Sequence, residues 1–447
     1  MKRFRKLLVF VILCCLFLSA CGSESAPAAP AETAAPAPAE TVDYAASVKL
    51  DLASATAKEE VTAKTYVDGD TVHFYVDERV VADGVLKARF LAVNTPESTG
   101  MVEEYGKTAA LFTREKLSAA ASIIIESETD TWQKDTTGDR NLVWVWYQPT
   151  ADAEYRNLNI ELLQNGLARP NNSGGNQYGS VCMAAIDQSK REQLNLYSGQ
   201  PDPNFYYGDA VELTLRELRA NIESYNGMKV AFNGVITSNS GTQGVYVESL
   251  DPETGMYYGI YVYYGHSLSG SGLSILSVGN EARIVGTVQY YEAGGTWQIS
   301  GVTHRMMQAD DPDNLQKISD GHSPAYQLTD PVTFAGGEVT VSGADGEKTL
   351  PYAQAVLGTS IRMENLQVTA GYTTASGSSS DGAVTLTCDA QGTTITVRTA
   401  PLLDENGNPI TEEAYLGKTI DVNGIVDFFD GTYQIKVLTA KNITIIE

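Results

Sequence analysis

Apolar and polar residues alternate along most of this chain, as in Thr71-Val72-His73-Phe74-Tyr75-Val76 and Leu142-Val143-Trp144-Val145-Trp146. A period of two sets one face of a strand against a core, and Gly, Asp and Asn turns separate the runs. Helical spacing is confined to about residues 106–196. There the pattern predicts a helix over Lys107–Ala121, with Ala109, Thr113, Leu117 and Ala120 on one face. A second, around Leu158–Asn165, stops at Gly166, where a residue tolerant of a left-handed backbone is expected. A third covers Val181–Leu194. Beyond Pro201-Asp202-Pro203-Asn204 the pattern is nearly all strand.

The distal half repeats itself. Val278-Gly279-Asn280-Glu281-Ala282-Arg283-Ile284-Val285-Gly286, running on to Tyr290-Tyr291 and Gly295-Thr296-Trp297-Gln298-Ile299, is echoed by Leu416-Gly417 through Gly424 to Phe428-Phe429 and Gly431-Thr432-Tyr433-Gln434-Ile435. Upstream, Gly227 to Thr237 parallels Gly358 to Thr369. Glycines seven residues apart are expected to bracket a sharply bent strand, as small barrels need at their corners. These segments resemble two tandem OB-type barrels, expected over 209–310 and 324–447. Such barrels bind oligonucleotides or sugars often, and the competing reading is a pair of spacers.

The N-terminus is of another kind. Lys2, Arg3, Arg5 and Lys6 precede an apolar run, Leu7–Leu18, that reads as a secretory signal and is short for a membrane span. It ends in Leu18-Ser19-Ala20-Cys21, which resembles the lipobox of bacterial lipoproteins, with Cys21 as the lipidated residue. The expectation is a signal peptide over 1–20 and an Ala/Pro-rich linker over 21–60. Acyl chains would then anchor the protein in the cell membrane, facing outward. Losing the signal takes four positive charges, so the net charge falls from −24 to about −28. A field of that sign repels polyanions, so nucleic-acid chemistry needs a local site and a metal. Cys182 and Cys388 lie far apart and make no disulfide framework. Four scattered histidines argue against histidine-based hydrolysis and leave carboxylates, arginines and an oxygen-loving metal.

Between about Lys64 and Ser198, five segments follow in order: Val67-Asp68-Gly69-Asp70-Thr71-Val72, Ala88-Arg89-Phe90-Leu91-Ala92-Val93-Asn94-Thr95-Pro96-Glu97, Tyr105-Gly106-Lys107, Gly138-Asp139-Arg140-Asn141-Leu142-Val143, and Leu162-Leu163-Gln164-Asn165-Gly166-Leu167-Ala168. In order and spacing they resemble the staphylococcal nuclease (thermonuclease) family. The resemblance implies a mainly β protein with some α: an OB-fold nuclease domain over 62–207, a five-stranded barrel with three helices, followed by the two OB-like barrels.

It also implies calcium-dependent hydrolysis of DNA and RNA. Phosphodiester hydrolysis asks for a metal, a base and cations for the developing charge, and calcium takes six to eight oxygen ligands. By resemblance Asp70 supplies a carboxylate ligand, Asn94 a side-chain oxygen and Thr95 a backbone carbonyl. Glu97 is the expected general base, and Arg89 and Arg140 fork onto the phosphate. Asp68 is either a turn-former or an outer-shell carboxylate. The chain departs from the family in having Asn94 where aspartate is usual, and in placing Asp139 between Gly138 and Arg140. Residues 62–205 carry 13 basic and 20 acidic side chains, so ground-state affinity for polyanions should be modest. The alternative is a non-catalytic nucleic-acid- or polysaccharide-binding surface lipoprotein.

Overall fold

The computed structural model describes residues 41–241, 243–343, 346–376 and 380–446. The expected signal peptide and Cys21 lie outside the described residues. The first barrel comprises β1 (Lys58–Asp68), β2 (Thr71–Tyr75), β3 (Val85–Phe90), β4 (Ser122–Glu126) and β5 (Asn141–Gln148). The first three strands form an antiparallel meander, β3 pairs in parallel with β5, and β5–β4–β1 closes the barrel. In β3 the alternation is clean: Leu86, Ala88 and Phe90 are buried, while Lys87 and Arg89 face outward. The core also holds Phe74, Trp144 and Trp146. The Trp146 indole N–H is satisfied by Glu126 at 2.8 Å.

Three helices cover this barrel: α1 (Gly106–Ser118), α2 (Leu158–Gln164) and α3 (Gly179–Arg191). Ala109, Thr113 and Leu117 of α1 are buried, and the chain past α2 turns through Gly166 in a left-handed conformation. Residues 43–60 are no linker, contrary to the sequence expectation. Asp43 caps a helical turn, Tyr44–Ser47, and pairs with Arg156 at 2.7 Å, while Ala45 is fully buried in the core. Strand β1 already begins at Lys58. One apolar side chain beside a capped turn is too weak a pattern to read in an Ala-rich stretch.

Two further barrels repeat the strand order. The middle one comprises β6 (Lys229–Asn239), β7 (Gly244–Leu250), β8 (Tyr257–Tyr263), β9 (Glu281–Tyr291) and β10 (Thr296–Ser300). The last comprises β11 (Ser360–Thr373), β12 (Ala383–Ala390), β13 (Thr393–Pro401), β14 (Thr419–Phe429) and β15 (Thr432–Val437). In each, the third strand pairs in parallel with the fifth, and the fourth closes on the first. All three are thus OB-like. The repeat glycines do not bracket a strand. Gly279 and Gly417 stand before β9 and β14 with left-handed φ, and Gly286 and Gly424 sit mid-strand. A side chain at Gly286 would lie 2.5 Å from Ile299, so the neighbouring strand leaves no room for a Cβ.

Sequence assigned to the last barrel also serves the middle one. The hairpin Glu338–Gly343/Gly346–Pro351 places Val341 and Leu350 in the middle barrel's core, against the helix Leu215–Ala220. An isolated hairpin cannot bury its own apolar face. The barrels are joined by buried polar contacts. Glu248 accepts from the Ser360 and Ala325 amides at 2.7 and 2.8 Å, and buried Arg219 donates to the Gly259 and Leu357 carbonyls. Gln289 of the middle barrel bonds to Gly100 N–H and the Ser98 carbonyl of the first.

Candidate functional site

The turn Asp68-Gly69-Asp70 links β1 to β2 at one rim of the first barrel. A Cβ at Gly69 would lie 2.8 Å from Thr95 and 2.9 Å from Ala109, so the turn is clamped between the Thr95 loop and α1. Thr113 of α1 adds a hydrogen bond to the Gly69 carbonyl at 2.6 Å. This clamp buries Asp70 completely. Its carboxylate accepts from the Thr95 amide at 2.8 Å, from the Thr71 hydroxyl at 3.1 Å and from the Arg89 guanidinium. The other arm of Arg89 donates to Asn94 Oδ1 at 2.5 Å. Four residues expected from the sequence, Asp70, Arg89, Asn94 and Thr95, therefore meet in one hydrogen-bonded cluster.

The link from β3 to Asn94 passes through Ala92, held at φ 68°. That conformation strains a non-glycine residue by about 1 kcal/mol or more. Its carbonyl is anchored by Asn171 N–H at 3.1 Å and the Ser173 hydroxyl. Glu97 follows on an exposed loop. Its backbone carbonyl accepts from Glu103 N–H at 2.9 Å, and a Cβ at Gly106 would collide with that carbonyl. Strands β3 and β5 pair with Arg89 opposite Leu142, so Arg140 stands at the entry of the strand next to Arg89. Its guanidinium is taken by Asp135 at 2.7 Å, apart from the Asp70 cluster. The inserted Asp139 pairs with Lys87 at 2.8 Å.

Residues 87–199 match the family model for Staphylococcal nuclease homologue. This segment is a staphylococcal nuclease-family domain. The match takes in Arg89, Asn94, Thr95, Glu97 and Arg140, while the Asp68-Gly69-Asp70 turn lies just ahead of it. No curated protein matches the chain.

In this nuclease-family domain the cluster is short of positive charge. Burial is the main cause that pushes the Asp68 carboxyl up to about 8, with the charges of Asp70 and Glu97 adding to it. Burial also raises Asp70, opposed chiefly by Arg89. Thr95 Oγ1 is buried with no hydrogen-bond partner among the described residues. Among those residues, no three or more His, Cys, Asp or Glu side chains converge as a metal cage. What does converge is two buried carboxylates, an amide oxygen and an orphaned hydroxyl, a hard oxygen set that suits calcium better than a transition metal.

Sequence reasoning missed Asp135, although Asp135-Thr136-Thr137-Gly138 reads as a turn whose first aspartate bonds back to the chain. It left Asp68 undecided, and the structure places that side chain buried beside Asp70.

Proposed function

We propose that this protein is a calcium-dependent, sugar-nonspecific nuclease that hydrolyses phosphodiester bonds of DNA and RNA at the cell surface, held there by lipid on Cys21. The observation that carries the reading is the Asp70–Arg89–Asn94–Thr95 cluster at the rim of an OB-like barrel. Three of these four residues fall in the nuclease-family segment, with Asp70 just ahead of it.

Asp70, Asn94 and the Thr95 carbonyl would hold the cation, the first two sharing their oxygens with Arg89, and Asp68 would add charge nearby. When bound, calcium supplies charge neutralisation for the phosphate and an ordered water. Arg89 is already oriented by Asp70 and Asn94, which leaves its remaining N–H groups for a phosphate oxygen. Glu97, exposed on its anchored loop, takes the proton from the attacking water. The water oxygen bonds to phosphorus as the bond to the 5′ oxygen breaks. The 5′ oxygen takes a proton from solvent and leaves as a hydroxyl, and the other product is the 3′-phosphate that the family resemblance implies. Arg140 joins by exchanging Asp135 for the substrate phosphate.

The test is clearing of DNA and RNA by the chain from residue 42 onward, with calcium and with chelator. Clearing that needs calcium is expected. Clearing that persists with chelator overturns the calcium mechanism, and no clearing under either condition overturns the nuclease reading.

A further inference from the structure

A cavity of about 1300 Å³ runs from the nuclease domain across both distal barrels. At one end it is lined by Asp68 and Ser98, beside the candidate site, and at the other by Phe428, Phe429 and Lys436 of the last barrel. Two features set its walls apart from the rest of the protein. Twelve of fifty lining residues are aromatic, against 9% of the chain. Six lining side chains are basic and four acidic, whereas the chain as a whole has 31 basic and 55 acidic residues. By count the groove reverses the charge balance of the molecule around it. Arg114, Lys229 and Lys436 are paired to the wall carboxylates Glu292, Asp313 and Asp427, pairs that a strand's phosphates would exchange, and Arg219 is buried on backbone carbonyls.

The aromatic residues are also placed by a repeated device. In the middle barrel Tyr290 of β9 faces Trp297 of β10, with ring centroids 5.0 Å apart. At the equivalent position of the last barrel Phe428 of β14 faces Tyr433 of β15 at 4.9 Å. Phe428 approaches the Gly295 turn of the middle barrel, so the two hairpins meet at one groove. Next to each pair stands a further exposed ring: Tyr291 at 50% and Phe429 at 63%. Two of the cations lie over rings of the walls, Lys436 5.7 Å over Tyr246 and Arg114 4.7 Å over Tyr66. Exposed rings cost solvation unless something covers them. Aromatic platforms with interleaved cations suit a flexible polyanion whose bases have π faces. A neutral sugar could use the rings as well; what favours a nucleic-acid strand is that the same groove runs to Asp68, at the rim of the nuclease-family domain.

We propose that this groove is a channel for single-stranded nucleic acid, in which bases stack on the hairpin rings of the two distal barrels and the strand is led to the Asp68 rim. The delivery step rests on the nuclease reading above; the binding itself does not.

The test begins with the full-length chain in EDTA, where turnover stops, and fluorescence anisotropy of a labelled oligothymidylate of about 20 nucleotides, long enough for two barrels at roughly 4–16 nucleotides each. Binding should weaken with salt, as phosphate contacts require. The triple variant Tyr290→Ala, Tyr291→Ala, Phe429→Ala removes rings that are 48–63% exposed, so the fold should survive. It should weaken binding at least about tenfold, since each stacked base accounts for roughly fivefold or more. The corresponding Tyr290→Phe, Tyr291→Phe variant, which keeps the rings, should bind as wild type. With calcium and long single-stranded DNA, the triple variant should show a raised KM and an unchanged kcat. No binding by wild type, equal binding by the triple variant, or preferred and salt-independent binding of a neutral oligosaccharide would each overturn the channel. Ring-dependent binding without turnover in calcium would uphold the channel and overturn the nuclease reading. Turnover without ring-dependent binding would do the reverse.

Discussion

The first barrel and the two that follow share one strand order, yet they carry opposite kinds of surface. At the rim of the first, a glycine turn clamped by α1 and the Thr95 loop buries two carboxylates, one of them paired with Arg89. At the hairpins of the distal pair the same architecture carries rings, Tyr290 against Trp297 and Phe428 against Tyr433. A buried charge cluster demands a rigid shell, because unpaired charge in a low dielectric costs several kcal/mol. Stacking platforms demand exposure and tolerate variation. One fold therefore supports a precise site where helices pack over it and a permissive surface where they do not, and the function has to be argued from the site.

The largest effect that separates the regions should come from the charged cluster. Arg89→Ala and Glu97→Gln are expected to cut turnover by about 10²-fold or more, as loss of a transition-state donor or base does. Arg140→Ala should match them in steady-state assays. Near-normal turnover in Arg140→Ala would mean that this arginine stays with Asp135 throughout.

The two kinds of shell can be compared by adding a methyl group to each. Gly106→Ala drives a Cβ into the Glu97 carbonyl and Gly286→Ala drives one into Ile299. Overpacking of this kind costs about 1–3 kcal/mol, so both should lower the denaturation midpoint of the barrel they belong to. Only Gly106→Ala should also lower kcat, because it displaces the Glu97 loop. Equal kinetic damage from Gly286→Ala would mean that the middle barrel and the Glu97 loop are not independent.

Next comes the amide in the cluster. Asn94→Asp adds a carboxylate beside calcium, and ligand charge tunes calcium affinity over decades, weak extracellular sites lying at about 10⁻⁴–10⁻³ M. Calcium should bind about tenfold more tightly by calorimetry, with saturated turnover changed far less. The same carboxylate would also grip Arg89, which donates to this position. Unchanged calcium affinity would remove residue 94 from the ligand set.

The smallest effect should follow deletion of 209–447. The first barrel's core draws only on residues between Ala45 and Ile186, so the domain should fold alone. Its kcat should hold while KM on long single-stranded DNA rises about tenfold, at least as much as in the triple ring variant, by loss of stacking. An unchanged KM would reduce the distal barrels to spacers.

The sequence by itself determined the local structure. Alternation in Val85–Phe90 decides which side chains face the core, and Arg89 points outward for that reason alone. Helix spacing marked α1–α3 to within a few residues, and the ordered motifs marked a nuclease domain and a repeated barrel. Those signals are legible because they depend on neighbours one to four positions apart. The tertiary structure alone decided what depends on distant partners. Asp70 meets Thr95 across 25 residues, Ala45 enters a core built mostly from residues after Val61, and a hairpin from the last segment completes the middle barrel. The aromatic groove forms where the first barrel meets the second, at contacts such as Gly100 with Gln289, 189 residues apart, and Arg114 with Glu292. Burial, the main cause that raises the Asp68 carboxyl, is likewise a property of packing, and no pattern along the chain encodes it residue by residue.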